Sequence, residues 1–360
     1  MNLASLEQIL KNEPTFRLKQ AKEAVFRNLI GDWNEATNLP PELREKLNQE
    51  APLAIDAKIF DSKDGAQKAL ITLKDGQKIE TVLMRHKDGR NTICVSSQIG
   101  CPLGCAFCAT GKIGFKRNLT ADEIVEQVLF FARRMKKKDI PPFVKGELRG
   151  ILKNKSSPAL LLQRRELEHV SNVVFMGMGE PFLNYDEMIA AIKILNDKNG
   201  LNISSRHISI STSGIIEGIK KLSDEPLQLN LALSLHAPDD KLRQQIMPIA
   251  EKYQIAEIFE ALDDYIKKTK RRVMLEYIMI NVFNDSDGCA AKLAGLIKKM
   301  RRPLIFVNLI LYNETGVFRP SAQKRVESFK KVLEKEGIAV TQRWRFGEDQ
   351  AAACGQLVAK

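Results

Sequence analysis

The chain has 360 residues, 44% of them hydrophobic and 28% charged, which suffices for one large domain with an extensive core and a smaller domain beside it. Its formal net charge of +12 favours an anionic partner, nucleic acid rather than a membrane surface, although a merely soluble basic protein has the same composition. No apolar run approaches the ~18 residues of a membrane span, and the start of the chain lacks the features of a signal peptide. We therefore expect a cytoplasmic protein without a membrane anchor.

Residues 1–55 are predicted to form a small helical module. Apolar residues recur at helical spacing in three segments, which are Ser5–Leu10, Arg17–Leu29 and Pro41–Glu50. Breaks near Gly31 and Pro40 separate them. The stretch from Phe16 to Gln20 is basic, so the module could bind RNA, but a solvated basic face has the same pattern.

Residues 56–90 are predicted to form short antiparallel strands that lead into the main domain. The strand-like runs are Ala57–Phe60, Ala69–Leu73 and Ile79–Met84. Between the last two, Lys74-Asp75-Gly76 is typical of a hairpin turn. The sequence therefore predicts an antiparallel appendage.

Residues 91–345 alternate between apolar strand-like runs and helical segments. The strand-like runs are Thr92–Val95, Val170–Met176, Ile208–Ser213, Leu229–Leu235, Val273–Ile280 and Leu304–Leu311. The helical segments are one that begins at a capping box from Thr120 to Glu123, then Tyr185–Asp197, Ile215–Leu222, Ala256–Lys267, Ala290–Met300 and Ala322–Glu336. Such alternation predicts an α/β fold with a parallel sheet covered by helices. A doubly wound sheet fits it too, but polar residues at the carboxyl ends of the strands favour a partial, TIM-like (β/α)6 barrel, open on one side.

Two stretches stand outside this alternation. Residues 136–168 form a long basic insertion between the first helix and the second strand, for which disorder, a solvated excursion and an RNA contact all stay open. Residues 346–360 form a last segment rich in small residues, and it carries Cys354.

The segment Cys101-Pro-Leu-Gly-Cys105-Ala-Phe-Cys108 places three thiols on one tight loop directly after the first strand. Thiolates are the ligands of iron–sulfur clusters and soft metals. A structural zinc ion would need a fourth ligand, and no second C-x₂-C pair is present. A disulfide is disfavoured in a chain that we expect in the cytoplasm. A cluster of four irons with three ligands would leave one iron free to bind a small molecule, and a zinc site is the alternative.

Other chemistry-bearing residues follow predicted strands. Gly177-Met-Gly179-Glu180-Pro181 comes directly after the second strand, where glycines could let the backbone approach a ligand and Glu180 could hold an ammonium group. Ser211, Ser234, His236 and Asn313 also stand at strand ends, which a barrel gathers on one face. Each such residue alone is a common turn former, so the evidence for a binding site is their joint placement on one face.

The C-x₃-C-x₂-C spacing after a first strand resembles the radical S-adenosylmethionine (SAM) enzymes. Among these enzymes, the flanking sequence resembles the RlmN/Cfr family of RNA adenosine methyltransferases, from Cys94-Val-Ser-Ser-Gln-Ile-Gly-Cys101 to Cys108-Ala-Thr-Gly. The resemblance covers nearly the whole chain, with the insertion at 136–168 as the main departure. It implies a radical SAM partial barrel, a [4Fe–4S] cluster and SAM, two molecules of which are used per turnover.

The resemblance also implies roles for individual residues. The cluster ligands would be Cys101, Cys105 and Cys108, and the SAM-binding residues would be Gly179, Glu180, Ser211, Ser234, Leu235, His236 and Asn313. Cys354 would carry the methyl group as S-methylcysteine and become linked to the RNA, Cys94 would resolve that crosslink, and Glu80 would accept the ring proton. The spacing between Glu80 and Cys94 is one residue longer than the family pattern, which weakens the assignment of Glu80.

The resemblance implies methylation of carbon 2 of adenosine, at position 2503 of 23S rRNA and position 37 of tRNA. It also implies an electron donor such as flavodoxin or ferredoxin, and we expect a monomer. Two alternatives remain open: a Cfr-like enzyme that methylates carbon 8 of adenosine in 23S rRNA, and a non-catalytic RNA-binding protein with a structural metal loop.

Overall fold

The computed structural model describes residues 3–138, 169–300 and 304–359. Its strands are β1 (Asp56–Asp61), β2 (Gln67–Thr72), β3 (Lys78–Arg85), β4 (Asn91–Cys94), β5 (Gln98–Gly100), β6 (Phe115–Asn118), β7 (Asn172–Phe175), β8 (Ile208–Thr212), β9 (Asn230–Ser234), β10 (Val273–Met279), β11 (Ile305–Leu311) and β12 (Val340–Gln342). Its α-helices are α1 (Leu3–Ile9), α2 (Thr15–Phe26), α3 (Pro41–Glu50), α4 (Ala109–Lys112), α5 (Ala121–Lys138), α6 (Tyr185–Asn196), α7 (Ile216–Asp224), α8 (Asp240–Ile246), α9 (Ile255–Thr269), α10 (Asp287–Lys298) and α11 (Gln323–Lys335).

Ten strands form one sheet in the order β1-β2-β3-β4-β7-β8-β9-β10-β11-β12. Strands β4 and β7 to β12 pair in parallel, whereas β1 to β3 pair antiparallel with one another and with β4. The predicted α/β fold with a large parallel sheet is therefore confirmed. The antiparallel strands extend that sheet beyond β4, and β5 with β6 forms a separate hairpin.

The parallel strands are buried because they are apolar along their length and helices cover them. Val173, Ile210, Leu233, Leu275 and Leu309 from five neighbouring strands are all fully buried in one continuous core. The apolar faces of α2 and α3 contribute to this same core. The predicted division between residues 1–55 and the barrel stays a prediction.

The capping box at the start of α5 is present. The backbone N–H of Glu123 donates to the Thr120 hydroxyl at 3.3 Å, and the Glu123 carboxylate accepts from the Thr120 N–H at 3.0 Å. These two bonds satisfy amide groups that the first turn of a helix leaves free. Most of the predicted insertion, residues 139–168, lies outside the described residues. Within the described part of the chain, no helix has the length and apolar content needed to cross a membrane.

Strand β12 is a difference from the sequence prediction. It adds a seventh parallel strand beside β11, with Val307 opposite Val340 and Leu309 opposite Gln342. Its three residues are polar or partly exposed, so they lack the apolar run from which the other strands were predicted.

Residues 343–359, which we call the closing segment, run from β12 back to the antiparallel strands near the other edge of the sheet. The N–H of Gly347 donates to Asp64 at 2.8 Å, and the N–H of Val358 donates to Glu80 at 2.8 Å. The hydroxyl of Ser62 also hydrogen-bonds Asp349. The closing segment thus bridges the side that a partial barrel would leave open.

Candidate active site

One cavity lies at the carboxyl ends of the parallel strands, where polar residues were predicted to gather. It is lined by residues of the cysteine loop, of the ends of β4 and β7 to β11, and of the closing segment. Those of the sequence-predicted site residues that line it are Cys94, Cys101, Cys105, Cys108, Gly179, Glu180, Ser211, Ser234, His236, Asn313 and Cys354. Two predicted residues, Glu80 and Leu235, do not line it.

The three cysteines of the loop lie between β5 and α4 with free, half-buried thiols. The N–H of Cys108 donates to the carbonyl of Cys105 at 3.0 Å, and Gly104 has a φ of +61°, so the loop is a tight turn. Burial raises the pKa of the Cys101 thiol to about 12 and raises that of Cys105 as well. Thiols in such a place become anionic when a metal replaces the proton.

The loop fits the iron–sulfur cluster that the sequence predicts. Among the described residues, no three His, Cys, Asp or Glu side chains converge closely enough to hold a single metal ion. In a cubane cluster each cysteine ligates a different iron, so its three sulfurs surround a larger centre. When bound, such a cluster with one free iron supplies one-electron chemistry next to the cavity.

Gly179 is required for packing, and its role in binding a ligand stays a prediction. Its φ is +97°, and a Cβ at this position would lie 2.5 Å from the Cβ of Gln98. A Cβ on Gly177 would lie 2.7 Å from the carbonyl oxygen of Val95. The two glycines therefore let the turn after β7 pack against Val95 and the start of β5.

Glu180 is a buried carboxylate at the cavity wall, only 3% exposed. Its two oxygens accept hydrogen bonds from the backbone N–H groups of Ser213, at 2.7 Å, and Phe182, at 3.1 Å. Burial raises its pKa, while these bonds lower it. No lysine or arginine in the described ranges forms a salt bridge with it, so its negative charge is suited to a cationic group of a ligand.

Strands β8 and β9 bring Ser211 and Ser234 together, with 3.1 Å between their hydroxyl oxygens. His236 follows β9 and is 5% exposed; the backbone N–H of Ile278 donates to its Nδ1 at 3.2 Å. Its Nε2 therefore carries the proton. Burial, helped by the charge of Arg243, lowers the pKa of His236 to about 3, so the ring is a neutral donor at physiological pH.

The closing segment places Cys354 against the cysteine loop. The N–H of Ala109 donates to the carbonyl of Gly355 at 2.7 Å, and the hydroxyl of Thr110 donates to the carbonyl of Leu357 at 2.7 Å. The Asn313 amide donates to the carbonyl of Cys354 at 3.0 Å, while its own Oδ1 is buried without a partner in the structure. An orphaned acceptor that faces a cavity fits a hydroxyl or amine of a bound ligand such as SAM.

Cys94, at the end of β4, lines the same cavity. Burial and, less strongly, the nearby Cys354 raise the pKa of its thiol to about 12, although the guanidinium of Arg343 lowers it. Arg343 was not predicted from the sequence. It also lines the cavity, with its Nη1 3.1 Å from the sulfur of Met176 and 3.5 Å from the carboxylate of Glu276, which is 2% exposed. The charge of Arg343 therefore acts on the two thiols and on this buried carboxylate.

Glu80 and Leu235 have other surroundings. Glu80 is 3% exposed; its Oε1 lies 2.9 Å from the ammonium of Lys68, and its Oε2 accepts from the N–H of Val358. In this conformation the carboxylate anchors the closing segment, and its role as a proton acceptor stays a prediction. The side chain of Leu235 is fully buried in the core, so only its backbone could contact a ligand.

Trp344, the neighbour of Arg343, also lines the cavity, and it too was not predicted from the sequence. Both follow β12, the strand whose pattern is too short to recognise. The N–H of Arg343 donates to the carbonyl of Leu309 at 2.8 Å and so continues the β11–β12 pairing. With β12 known, both residues follow the carboxyl end of a parallel strand, as Glu180, His236 and Asn313 do.

Comparison with known proteins places the chain among radical SAM enzymes. Residues 152–292 match the model of the radical SAM superfamily, a range that begins after the cysteine loop. The chain is similar to a crystal structure of a radical SAM methyltransferase from Sphaerobacter thermophilus, with a TM-score of 0.87 and 38% sequence identity over 100% of this chain and 98% of that one.

Curated relatives narrow the family. The chain is 41% identical, over 96% of its length and 91% of theirs, to a probable dual-specificity RNA methyltransferase RlmN from Dictyoglomus thermophilum. It is 42% identical, over 97% of its length and 93% of the relative's, to one of the same name from Carboxydothermus hydrogenoformans. The chain therefore belongs to the RlmN family of radical SAM proteins, whose cofactors are a [4Fe–4S] cluster and SAM.

Proposed function

We propose that the chain is an RNA methyltransferase that methylates carbon 2 of adenosine in 23S rRNA and in tRNA. The observation that supports this most is the single cavity shared by the cysteine loop, Cys94 and Cys354. A protein that only binds RNA and holds a structural metal would not need two further thiols, one on β4 and one in the closing segment, beside the cysteine loop. The relatives are named RNA methyltransferases, which supports RNA as the substrate.

Carbon 2 of adenine is electron-poor and has no acidic proton, so it cannot attack the methyl group of SAM directly. The methyl group has to be converted into a reactive carbon first. When bound, the cluster and SAM supply the 5′-deoxyadenosyl radical that removes a hydrogen atom from a methyl group. A residue of the chain must hold that methyl group beside the cluster, and we assign this role to Cys354 because it lines the same cavity as the cysteine loop.

The chain's own residues then divide the work. The Cys354 thiolate accepts a methyl group from a first SAM by displacement, and its activated carbon later forms a bond to the base, so that protein and RNA are joined. The joined base is a radical that must lose one electron and its ring proton. The electron would pass to the cluster that the cysteine loop would hold, and Glu80 is our proposed acceptor of the proton. Cys94 gives up its proton and attacks the sulfur of Cys354, which forms a disulfide and breaks the sulfur–carbon bond. The released carbon takes up a proton and becomes the new methyl group, and an external reductant later reduces the disulfide. The high pKa of Cys94 keeps that thiol protonated, and thus unreactive, before the base arrives.

The test is anaerobic purification, iron and sulfide analysis, and mass spectrometry of digested RNA against 2- and 8-methyladenosine standards. We expect 2-methyladenosine from the unmodified chain. Cys354→Ala should abolish methylation and leave the iron and sulfide content unchanged. Cys94→Ala should accumulate a covalent protein–RNA adduct, visible as a band that RNase shifts.

Cys289→Ala is the matched control, because Cys289 is buried on α10 and does not line the cavity. It should methylate RNA like the unmodified chain. A product of 8-methyladenosine would assign the chain to carbon-8 chemistry. A protein with neither sulfide nor SAM consumption, whose Cys354→Ala variant behaves normally, would overturn the enzyme assignment.

Three further predictions belong to this proposal. The electron donor is a small redox protein such as flavodoxin or ferredoxin, the chain acts as a monomer, and it works in the cytoplasm, where its RNA substrates are. Size-exclusion chromatography with light scattering tests the monomer. Reduction of the cluster by purified flavodoxin, followed by its absorbance, tests the donor.

A further inference from the structure

Trp344 is an exposed aromatic side chain at the wall of the active-site cavity. It is 67% exposed, yet it lines the same cavity as Cys94 and Cys354. A tryptophan with this much apolar surface in water is unfavourable, and exposed aromatic residues at a site commonly contact a ligand. Its position therefore marks the mouth of the cavity.

The backbone that carries Trp344 is held firmly on both sides. On one side, the N–H of Arg343 donates to the carbonyl of Leu309 at 2.8 Å. On the other, the Phe346 ring meets the His86 ring edge to face, with 5.0 Å between centroids. The exposed indole thus projects from a fixed strand end rather than from a loose loop, which makes it a preorganised surface.

A cation accompanies the ring. The ammonium of Lys87 lies 5.4 Å from the centroid of the Trp344 ring. Arg345, one residue on, has a side chain 26% exposed, and its guanidinium is held by the carbonyl of Tyr312 at 2.9 Å. An aromatic face beside positive charge is the arrangement with which proteins hold single-stranded nucleic acid, since bases stack on the ring and phosphates meet the cations.

We propose that Trp344 and Lys87 form a stacking platform for a nucleobase of the RNA at the mouth of the cavity. The inference rests on the proposed function, because a base must leave its stack to reach Cys354, and an aromatic surface beside the entrance replaces part of the stacking that is lost. The ligand class is an unpaired nucleotide segment, with Lys87 near its phosphate.

Steady-state methylation of a short RNA hairpin by Trp344→Ala, Trp344→Phe and the unmodified chain tests the platform. Loss of one base–aromatic stack corresponds to about 5- to 150-fold weaker binding, so the KM for RNA should rise by that factor in Trp344→Ala. The factor by which kcat falls should be smaller. Trp344→Phe should recover most of the loss. Val282→Ala removes another exposed apolar side chain, 89% exposed and outside the cavity lining, and should leave the KM unchanged.

Fluorescence tests the same contact without catalysis. The chain has two tryptophans, and Trp33 is fully buried with its indole N–H donated to the carbonyl of Ala51 at 2.8 Å. Acrylamide should therefore quench mainly Trp344, and the RNA hairpin should protect it. Trp344→Phe should lose both the quenching and the protection.

The outcomes separate the platform from the proposed function. Normal methylation with an unchanged KM in Trp344→Ala and no protection by RNA would overturn the platform and leave the function intact. Protection of Trp344 by RNA in a protein that methylates no RNA would support the platform and overturn the function.

Discussion

Replacement of Glu80 by Gln is expected to loosen the closing segment, by an amount that follows from the contacts of its carboxylate. The pair with Lys68 is 2.9 Å long between side chains that are 9% and 4% exposed, and the other oxygen accepts the Val358 N–H. Removal of one partner of a buried pair costs about 3–5 kcal/mol. In the variant, Lys68 retains its contacts with the carbonyl of Ala351, at 3.4 Å, and with the Phe60 ring, at 5.3 Å. We therefore expect a cost at the lower end of this range, about 3 kcal/mol.

Hydrogen exchange of the Val358 amide measures this effect directly. A loss of about 3 kcal/mol corresponds to exchange about 150-fold faster. The double variant Lys68→Met/Glu80→Gln removes both charges and should recover most of the protection. Exchange in Glu80→Gln within about threefold of the unmodified chain would refute the anchoring role. If Glu80 is also the proton acceptor, the variant should accumulate the RNA adduct; a purely anchoring residue would reduce adduct formation.

Three other changes have defined outcomes. Gly179→Ala should lower the free energy of unfolding by about 2–4 kcal/mol, because the φ of this residue is +97° and an added Cβ would overlap a neighbouring side chain. Gly295→Ala is the control, since its added Cβ would meet open space, and thermal unfolding compares the two variants. Arg343→Gln should raise the pKa of the Cys94 thiol and slow decay of the RNA adduct about tenfold, with Arg343→Lys in between; equal decay rates would contradict this. The pKa of His236 is about 3 in the folded chain and ordinarily 6.5, so the unfolded state takes up a proton first as the pH falls. Between pH 6.5 and 5.0 the free energy of unfolding of the unmodified chain should therefore fall by about 2 kcal/mol more than that of His236→Asn, as measured by urea unfolding. Parallel pH profiles of the two proteins would disprove this.

The alternation of apolar runs and helical segments predicted the parallel strands and their helices, since both signals are local. The capping box of Thr120 and Glu123 likewise needs only four consecutive residues. Strand β12 could not be predicted, because its pairing with β11 is what makes it a strand. The course of the closing segment depends on single contacts such as Glu80 with Val358, 278 residues apart, for which the sequence has no pattern.

For the site, the rule that parallel strands carry functional residues at their carboxyl ends placed Ser211, Ser234 and Asn313 on the cavity wall. It did not reveal why Gly179 is a glycine, because that reason is the adjacent Gln98 side chain. It also missed Arg343, whose charge acts on the thiols of Cys94 and Cys354. Such features depend on which side chains become neighbours in the folded chain.

The bridge from β12 to the antiparallel strands has a consequence for access to the cavity. Contacts between residues hundreds of positions apart close the longest loops of the chain, and they bear the largest closure entropy. The wall that carries Cys354 is held by a few such contacts, with the Glu80 carboxylate central among them. We therefore expect the part of this wall around Cys354 to open more readily than the parallel sheet, which would widen the entrance to the cavity without unfolding the core.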